Sequence, residues 1–488
     1  MFICIYRYTY CQHFYRKSGE PGSISEWTPV SAQIGQNETQ YYKFAVDTQS
    51  YGASSQFEIL IFLAGVICYE PSNVGDYDLH NSLELFYSFN ASDMANLTQA
   101  SRLTFSQGYS QGLAETLIDD AHSELYIAVT SPVSAEIKDN WSYQIAISQN
   151  DLVFQWDDRS YASLVDADFE SALFVTGNIS ASTTNATLIQ VQSGGEFNLF
   201  IYDYSYINYF SHLNNSWCAV RNGPVLIDTV NMTSNYTNRG GGIQQQFYID
   251  GLNASTNYVA YLTQDFEGSG DNGGSIFTKF EFQTQSSRAC RLIYDLEFCN
   301  NVAYSVPISS QYDIDGSELN LKILYDSNPL ALYQNFTFAL QQTACDTEAD
   351  ASYSTVRTCD DCATAYKNWL CAVTIPRCST YNYTGFQYRD VGESRNPFVN
   401  TVVQPKEPYY EVLPCINLCN NIVQDCPVND FAFVCPKDNA TIAQSYYWYD
   451  DTYNGTSCNF VGSSPNQDIA NAQASFFPNY PQDQYGRS

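Results

Sequence analysis

The chain has 488 residues, 52 acidic and 21 basic, giving a net charge of −31 although charged residues make up only 15% of it. That balance excludes nucleic acid as a partner, since phosphate binding needs a basic face that releases counterions, and it favours cations or basic protein surfaces. A hydrophobic content of 44% over this length allows roughly two or three cores, and forty tyrosines against three methionines suit half-buried strands.

Residues 1–24 interleave Arg7, Gln12, His13 and Arg16 with aromatics. They lack the apolar stretch of an export signal, so this N-terminus is expected to be truncated or misassigned. Residues 25–150 read as a β-sandwich-like domain, with short β-rich runs at 41–46, 57–68, 83–87, 125–129 and 143–147 punctuated by Gly, Asn, Ser and Pro. The longest apolar run, 59–68, is about half the ~20 residues of a membrane helix and fits a buried strand.

Residues 151–287 read as a second β-sandwich, with strands expected at 152–156, 171–175, 187–191, 197–202, 247–248, 258–263 and 277–282. Leu252, Thr256 and Tyr258 have the spacing of a tyrosine corner, in which a phenol hydroxyl bonds nearby backbone. Residues 288–460 change character. They hold twelve of the sixteen cysteines, and 363–373 and 416–424 have helical apolar spacing. The polar tail, 461–488, is expected to be disordered.

Asn-x-Ser/Thr occurs at Asn37, Asn90, Asn96, Asn140, Asn178, Asn185, Asn214, Asn231, Asn235, Asn253, Asn335, Asn382, Asn439 and Asn454. Roughly six would arise by chance, so the excess points to a glycosylated, oxidising compartment. There the cysteine cluster reads as a disulfide framework rather than as zinc or redox sites. Spacing alone leaves about ten thousand pairings for twelve cysteines. Cys68 and Cys218 either pair or stay buried as separate thiols.

Cys290-x8-Cys299 with Tyr304 beyond it, Cys362-x8-Cys371-x6-Cys378 enclosing Trp369 and Pro376, and Pro414-Cys415-x3-Cys419-x6-Cys426 together resemble a Frizzled-type cysteine-rich domain. The same region, with Asn335-Phe-Thr-Phe, Cys359-Asp-Asp-Cys362, Arg395-Asn-Pro-Phe398 and Tyr409-Tyr-Glu-Val-Leu-Pro-Cys415, is similar to the fungal stretch-activated calcium-channel regulatory subunit family. Animal sodium-leak-channel auxiliary subunits are similar in the same unit.

The resemblance implies a mainly α-helical, disulfide-rich Frizzled-like domain following the all-β region. It also implies a glycosylated subunit outside the cell, at the plasma membrane after passage through the endoplasmic reticulum. Its partner would be a pore-forming four-repeat cation-channel α subunit, through which it would meet the membrane, and its role would be to support calcium influx. Frizzled-type connectivity would pair Cys290–Cys378, Cys299–Cys371, Cys362–Cys426, Cys415–Cys458 and Cys419–Cys435, leaving Cys345–Cys359. The long 379–413 connection, carrying Arg395, Asn396, Pro397 and Phe398, is the expected partner contact, because ordered loops on a rigid scaffold commonly carry recognition.

Catalytic and metal chemistry is weakly represented, and no cofactor is expected. Gly108-Tyr-Ser110-Gln-Gly112 matches a nucleophile elbow in an antiparallel rather than an α/β setting. Cys359-Asp-Asp-Cys362 has redox spacing but lies inside the cysteine cluster. Asp313-Ile-Asp315-Gly316 fails as a calcium loop at its first and twelfth positions, Gln311 and Lys322. The acidic group Asp346, Glu348, Asp350, Asp360 and Asp361 either concentrates calcium near a pore or serves solubility. The competing reading is a secreted or cell-surface adhesin or receptor ectodomain with a ligand-binding Frizzled-like domain, and a hydrolase using Ser110 is the third.

Overall fold

The computed structural model describes residues 21–462 apart from 49–57, 72–81, 118–121, 134–138, 180–196, 225–230, 239–241, 267–272, 310–317, 345–352, 355, 384, 428–430 and 449–456. It forms two compact units. The first comprises Met1–Trp156, Phe210–Asn222 and Phe266–Ser275, and the second takes the remaining residues.

The first unit contains strands β1 (Gly22–Ile24), β2 (Val30–Ile34), β3 (Thr39–Ala45), β4 (Glu58–Tyr69), β5 (Glu84–Ser88), β6 (Ser101–Thr104), β7 (Tyr109–Leu117), β8 (Glu124–Thr130) and β9 (Trp141–Ser148). They form two sheets, ordered β1-β3-β8-β5-β6 and β2-β9-β4-β7. Alternate residues of β3 turn inward at Tyr42 and Phe44, as do Leu125 and Ile127 of β8, because side chains on a strand alternate between faces. The Tyr42 and Tyr143 hydroxyls meet at 2.8 Å between the sheets, which supplies a partner for each phenol inside the core.

Cys68, near the end of β4, is bonded to Cys218 of helix α1 (Trp217–Arg221), with 4.9 Å between their α-carbons. Ser216 caps that helix. Its Oγ accepts the Ala219 N–H at 3.2 Å and donates to the Ile67 carbonyl at 2.7 Å. The question left open for Cys68 and Cys218 is answered by a bridge.

Strand β10 (Phe154–Asp157) is followed by β11 (Ala162–Ala167), β12 (Ser171–Thr176), β13 (Phe197–Asp203), β14 (Asn231–Thr237), β15 (Gln244–Asp250), β16 (Asn257–Asp265), β17 (Gly274–Phe277) and β18 (Phe280–Gln283), all but the first half of β17 and most of β10 in the second unit. One antiparallel sheet runs β11-β12-β15-β14, and β16 pairs with β13 and β18 in another. Leu164, Phe174, Phe247 and Ile249 from the first meet Leu199, Ile201, Ala260, Leu262 and Phe282 from the second in one core. The strand expected at 187–191 lies outside the described residues. The tyrosine corner is present, since the buried Tyr258 hydroxyl accepts the Asn253 N–H at 2.8 Å.

The rest of this unit is the cysteine-rich module. It holds the hairpin β19 (Cys290–Ile293) and β20 (Tyr304–Pro307), and the sheet β21-β23-β22 built from β21 (Arg377–Ser379), β22 (Gln387–Arg389) and β23 (Tyr409–Val412). Helices α2 (Glu318–Leu340), α3 (Cys359–Thr374), α4 (Ile416–Asp425) and α5 (Asn439–Ser445) complete it. The expectation of a mainly α-helical Frizzled-like domain is therefore corrected: the described residues are 39% strand and 23% helix and form six sheets. The resemblance rested on cysteine spacing, which says nothing about the backbone between cysteines. Short runs such as Tyr304–Pro307 and Tyr409–Val412 are aromatic and β-branched and pair as strands.

Replacing Tyr258 by Phe removes the corner hydrogen bond and leaves the Asn253 N–H without it. The expected loss is about 1 kcal/mol, read as a lower urea midpoint of the purified chain; an unchanged midpoint would mean the corner does not stabilise the sandwich.

Candidate functional site

The cysteine-rich module is locked onto the second-unit sandwich by buried charge. The β11–β12 hairpin reads Asp166-Ala-Asp168-Phe-Glu170, and its carboxylates enter a socket of arginines. Arg377 Nε lies 3.4 Å from Asp166 Oδ2, with both side chains at most 3% exposed. Arg291 Nε lies 3.7 Å from Asp168 Oδ2, and its Nη1 contacts Glu170. Backbone completes the joint: the Ser305 N–H donates to Asp166 at 2.8 Å and the Leu292 N–H to Asp168 at 2.9 Å. Burial raises both carboxyls above their ordinary range, and Arg377, Arg291 and the backbone donors offset only part of that rise.

The two arginines are positioned by one bridge. Arg291 follows Cys290, Arg377 precedes Cys378, and these cysteines are bonded with 5.6 Å between their α-carbons. The structure also joins Cys299 with Cys371, Cys362 with Cys426, Cys415 with Cys458, and Cys419 with Cys435. Cys359 is disulfide-bonded, and Cys345 lies outside the described residues. With Cys362 bonded to Cys426, the Cys359/Cys362 pair is not a redox dithiol.

A third buried carboxylate organises the 379–413 connection. Glu411 on β23 is fully buried and receives Arg389 Nε at 2.8 Å and Arg395 Nε at 2.6 Å. Asn396 Nδ2 donates to the Thr374 carbonyl at the end of α3, 2.6 Å away, and its Oδ1 accepts the Phe398 N–H at 3.0 Å. The Phe398 ring packs edge-on against Tyr325 at 6.1 Å. Arg395, Asn396 and Phe398 thus shape the loop from within, whereas Pro397, Tyr388, Val391 and Val402 are exposed.

A family model described as "Stretch-activated Ca2+-permeable channel component" matches residues 60–464. This chain belongs to that family. It is 38% identical over 486 residues, 91% of this chain and 87% of the relative, to the stretch-activated cation channel MID1 of Saccharomyces cerevisiae. It is 35% identical over 404 residues, 79% of this chain and 80% of the relative, to the stretch-activated cation channel yam8 of Schizosaccharomyces pombe. The match to the Cryptococcus neoformans MID1 channel is 26% over 243 residues, 43% of this chain and 37% of the relative.

In this channel component no described helix is long and apolar enough to cross a membrane. No group of three or more His, Cys, Asp or Glu among the described residues could hold a metal. Ser110 is buried within β7, opposite Gly65 of β4, and the turn before it passes through Gln107 and Gly108 at φ 52° and 79°. Strand runs on from that turn, so the strand-to-helix elbow of a hydrolase is not built there. Among the acidic group, Asp361 completes a capping box with Thr358 at the start of α3, and hydrogen bonds from Thr358 hold its carboxyl below the ordinary range. Asp360 lies in the same first turn, and Asp346, Glu348 and Asp350 lie outside the described residues.

Of the sequon asparagines, Asn37, Asn90, Asn96, Asn140, Asn178, Asn231, Asn235, Asn253, Asn335 and Asn382 are exposed and Asn214 is half-buried. Asn185 and Asn454, and the side chain of Asn439, lie outside the described residues. The sequence reading missed the carboxylate socket. Its signal was present as three acids at alternate positions, 166, 168 and 170, and as arginines beside Cys290 and Cys378.

Arg377→Met leaves Asp166 buried without its cation and is expected to cost about 3–5 kcal/mol at neutral pH. Asp166 then titrates still higher in the folded chain than in the unfolded one. Between those two values the folded state holds the extra proton, so stability rises as pH falls and the defect shrinks at pH 5 relative to pH 7.5. Urea unfolding at both pH values checks this, and adding Asp166→Leu recovers most of the loss.

Paired Cys→Ser changes compare the bridges directly. Loss of Cys290–Cys378, with a separation of 88 residues, is expected to destabilise more than loss of Cys419–Cys435, with 16. The chain-entropy difference is about 1.5 kcal/mol, measurable as the difference between the two variants' unfolding free energies.

Proposed function

We propose that this chain is the glycosylated extracellular regulatory subunit of a plasma-membrane stretch-activated calcium channel, binding the pore-forming four-repeat cation-channel α subunit and supporting calcium influx. Membership of the channel-component family over most of the chain carries this reading. The bridged module fits it, because disulfides of this density persist in compartments outside the reducing cytosol. Exposed sequons fit passage through the endoplasmic reticulum on the way to the cell surface. Membrane association then comes through the channel partner. The partner contact includes the 379–413 loop, where Arg395, Asn396 and Phe398 hold the shape and Pro397, Tyr388, Val391 and Val402 face outward.

Co-expression with the pore subunit tests the reading. The subunit is expected to be recovered with this chain from solubilised membranes, the chain to shift in mass on enzymatic removal of N-glycans, and calcium influx to fall when the chain is deleted. A fully secreted chain that recovers no channel subunit would overturn it. Pro397→Asp with Val402→Asp is expected to lower recovery at least threefold without affecting secretion; equal recovery would remove the loop from the contact.

A further inference from the structure

Helix α2 is built inside out. It spans Glu318–Leu340, about 34 Å at 1.5 Å per residue, and its apolar residues are spread around the axis. Leu321, Tyr325 and Phe336 are buried in the module. Lys322 and Asp326 also turn inward: the Lys322 ammonium lies 3.9 Å from the centre of the Tyr294 ring, and Asp326 accepts the Phe298 and Cys299 N–H groups at 2.7 Å each. The opposite face shows Leu319, Ile323, Leu330 and Phe338 at 67%, 57%, 40% and 64% exposure. Ser327 and Gln334 fall between them, and the stripe carries no charged residue. A helix that is apolar all round is ordinarily covered on all sides.

We infer that this outer face of α2 docks onto an uncharged, apolar surface of the membrane-embedded channel subunit, an inference that rests on the function proposed above. Charge selects this occupant. A second copy would bring another −31 against the first, and self-repulsion of that size opposes pairing through a contact with no ion pairs. An anionic lipid surface repels the chain for the same reason, and a helix lying on a membrane carries Lys and Arg along its polar face, whereas α2 has Lys322 alone and turns it inward. A basic partner would be met by carboxylates, which this face lacks. The exposed sequon residue Asn335 lies about 100° round the helix from Gln334, so a glycan there borders the stripe without covering it.

The test uses the full chain co-expressed with the pore subunit. Ile323→Glu with Leu330→Glu is expected to reduce the recovered subunit at least tenfold, with the thermal midpoint of the purified chain unchanged, while Ile323→Leu with Leu330→Met recovers it as wild type does. As an independent block, Leu330→Asn with Leu332→Thr adds a glycan to the face and is expected to give the same loss. Undiminished recovery with both the charged and the glycan variants overturns this surface and leaves the proposed function standing. Wild type that recovers no channel subunit overturns both. Light scattering showing a wild-type dimer that the charged variant dissolves, or flotation of wild type with phosphatidylcholine–phosphatidylserine vesicles lost in that variant, overturns the assigned occupant.

Discussion

Two buried ion pairs, Asp166–Arg377 and Asp168–Arg291, join the cysteine-rich module to the sandwich of the second unit. Taking four charges out of water is expensive, and apolar residues of the same volume would often stabilise as well or better. What the charges add is position. Arginine and carboxylate meet in few geometries, and the Ser305 and Leu292 N–H groups must arrive at the same oxygens. A one-residue slip between the hairpin tip and β19–β20 would strand buried charge, so the register of module on sandwich is fixed. The Cys290–Cys378 bridge makes this possible by holding Arg291 and Arg377, 86 positions apart in sequence, side by side.

Tyrosine serves a parallel role elsewhere. The Tyr258 hydroxyl accepts Asn253 N–H, Tyr304 donates to the Ile375 carbonyl at 2.8 Å, and Tyr325 donates to the Pro307 carbonyl at 2.6 Å. Each ring fills core volume while its hydroxyl satisfies backbone that no ladder pairs. A chain with forty tyrosines and three methionines can in this way pin irregular connections at defined points. Methionine fills gaps without specifying geometry, whereas a phenol marks one point on the backbone as its partner. Around 299–307 and 371–378 the phenols and the bridges act on the same backbone. Tyr304 bonds the C-cap residue of the helix that carries Cys371, and the bridge from Cys371 returns to Cys299.

Legibility followed local pattern. The strands around 41–46, 125–129 and 258–263 stood out because apolar residues alternate between turn signals, and helices 363–373 and 416–424 because their apolar residues share a face. Phe277–Phe282 read as one strand, but the structure breaks it at Thr278, whose N–H goes to the Asp157 carbonyl at 3.1 Å instead of to a ladder. The strands of the cysteine-rich module were hidden by length, three or four residues each, and by a resemblance that drew attention to cysteines. The carboxylate socket was missed for a different reason, although its residues carry a local signal. Its halves lie more than 100 residues apart, and a hairpin of alternating acids reads as solvated surface until the arginines are placed.

Helix α2 shows how the same cause can hide an element and give it a distinct surface. A periodicity search finds a surface helix by its polar face. Here the polar groups that would have marked it, Lys322 and Asp326, point into the module, and Asp326 is committed to the N–H groups at Phe298 and Cys299, the latter in the Cys299–Cys371 bridge. With that commitment Asp326 is buried and the charged side of the helix faces inward. Tyr325, Phe336 and the buried Pro329 then fill the remainder of the inward side. Leu319, Ile323, Leu330 and Phe338 are left on the side away from it. The apolar outer stripe is thus the geometric complement of the capping role that Asp326 plays in the disulfide frame.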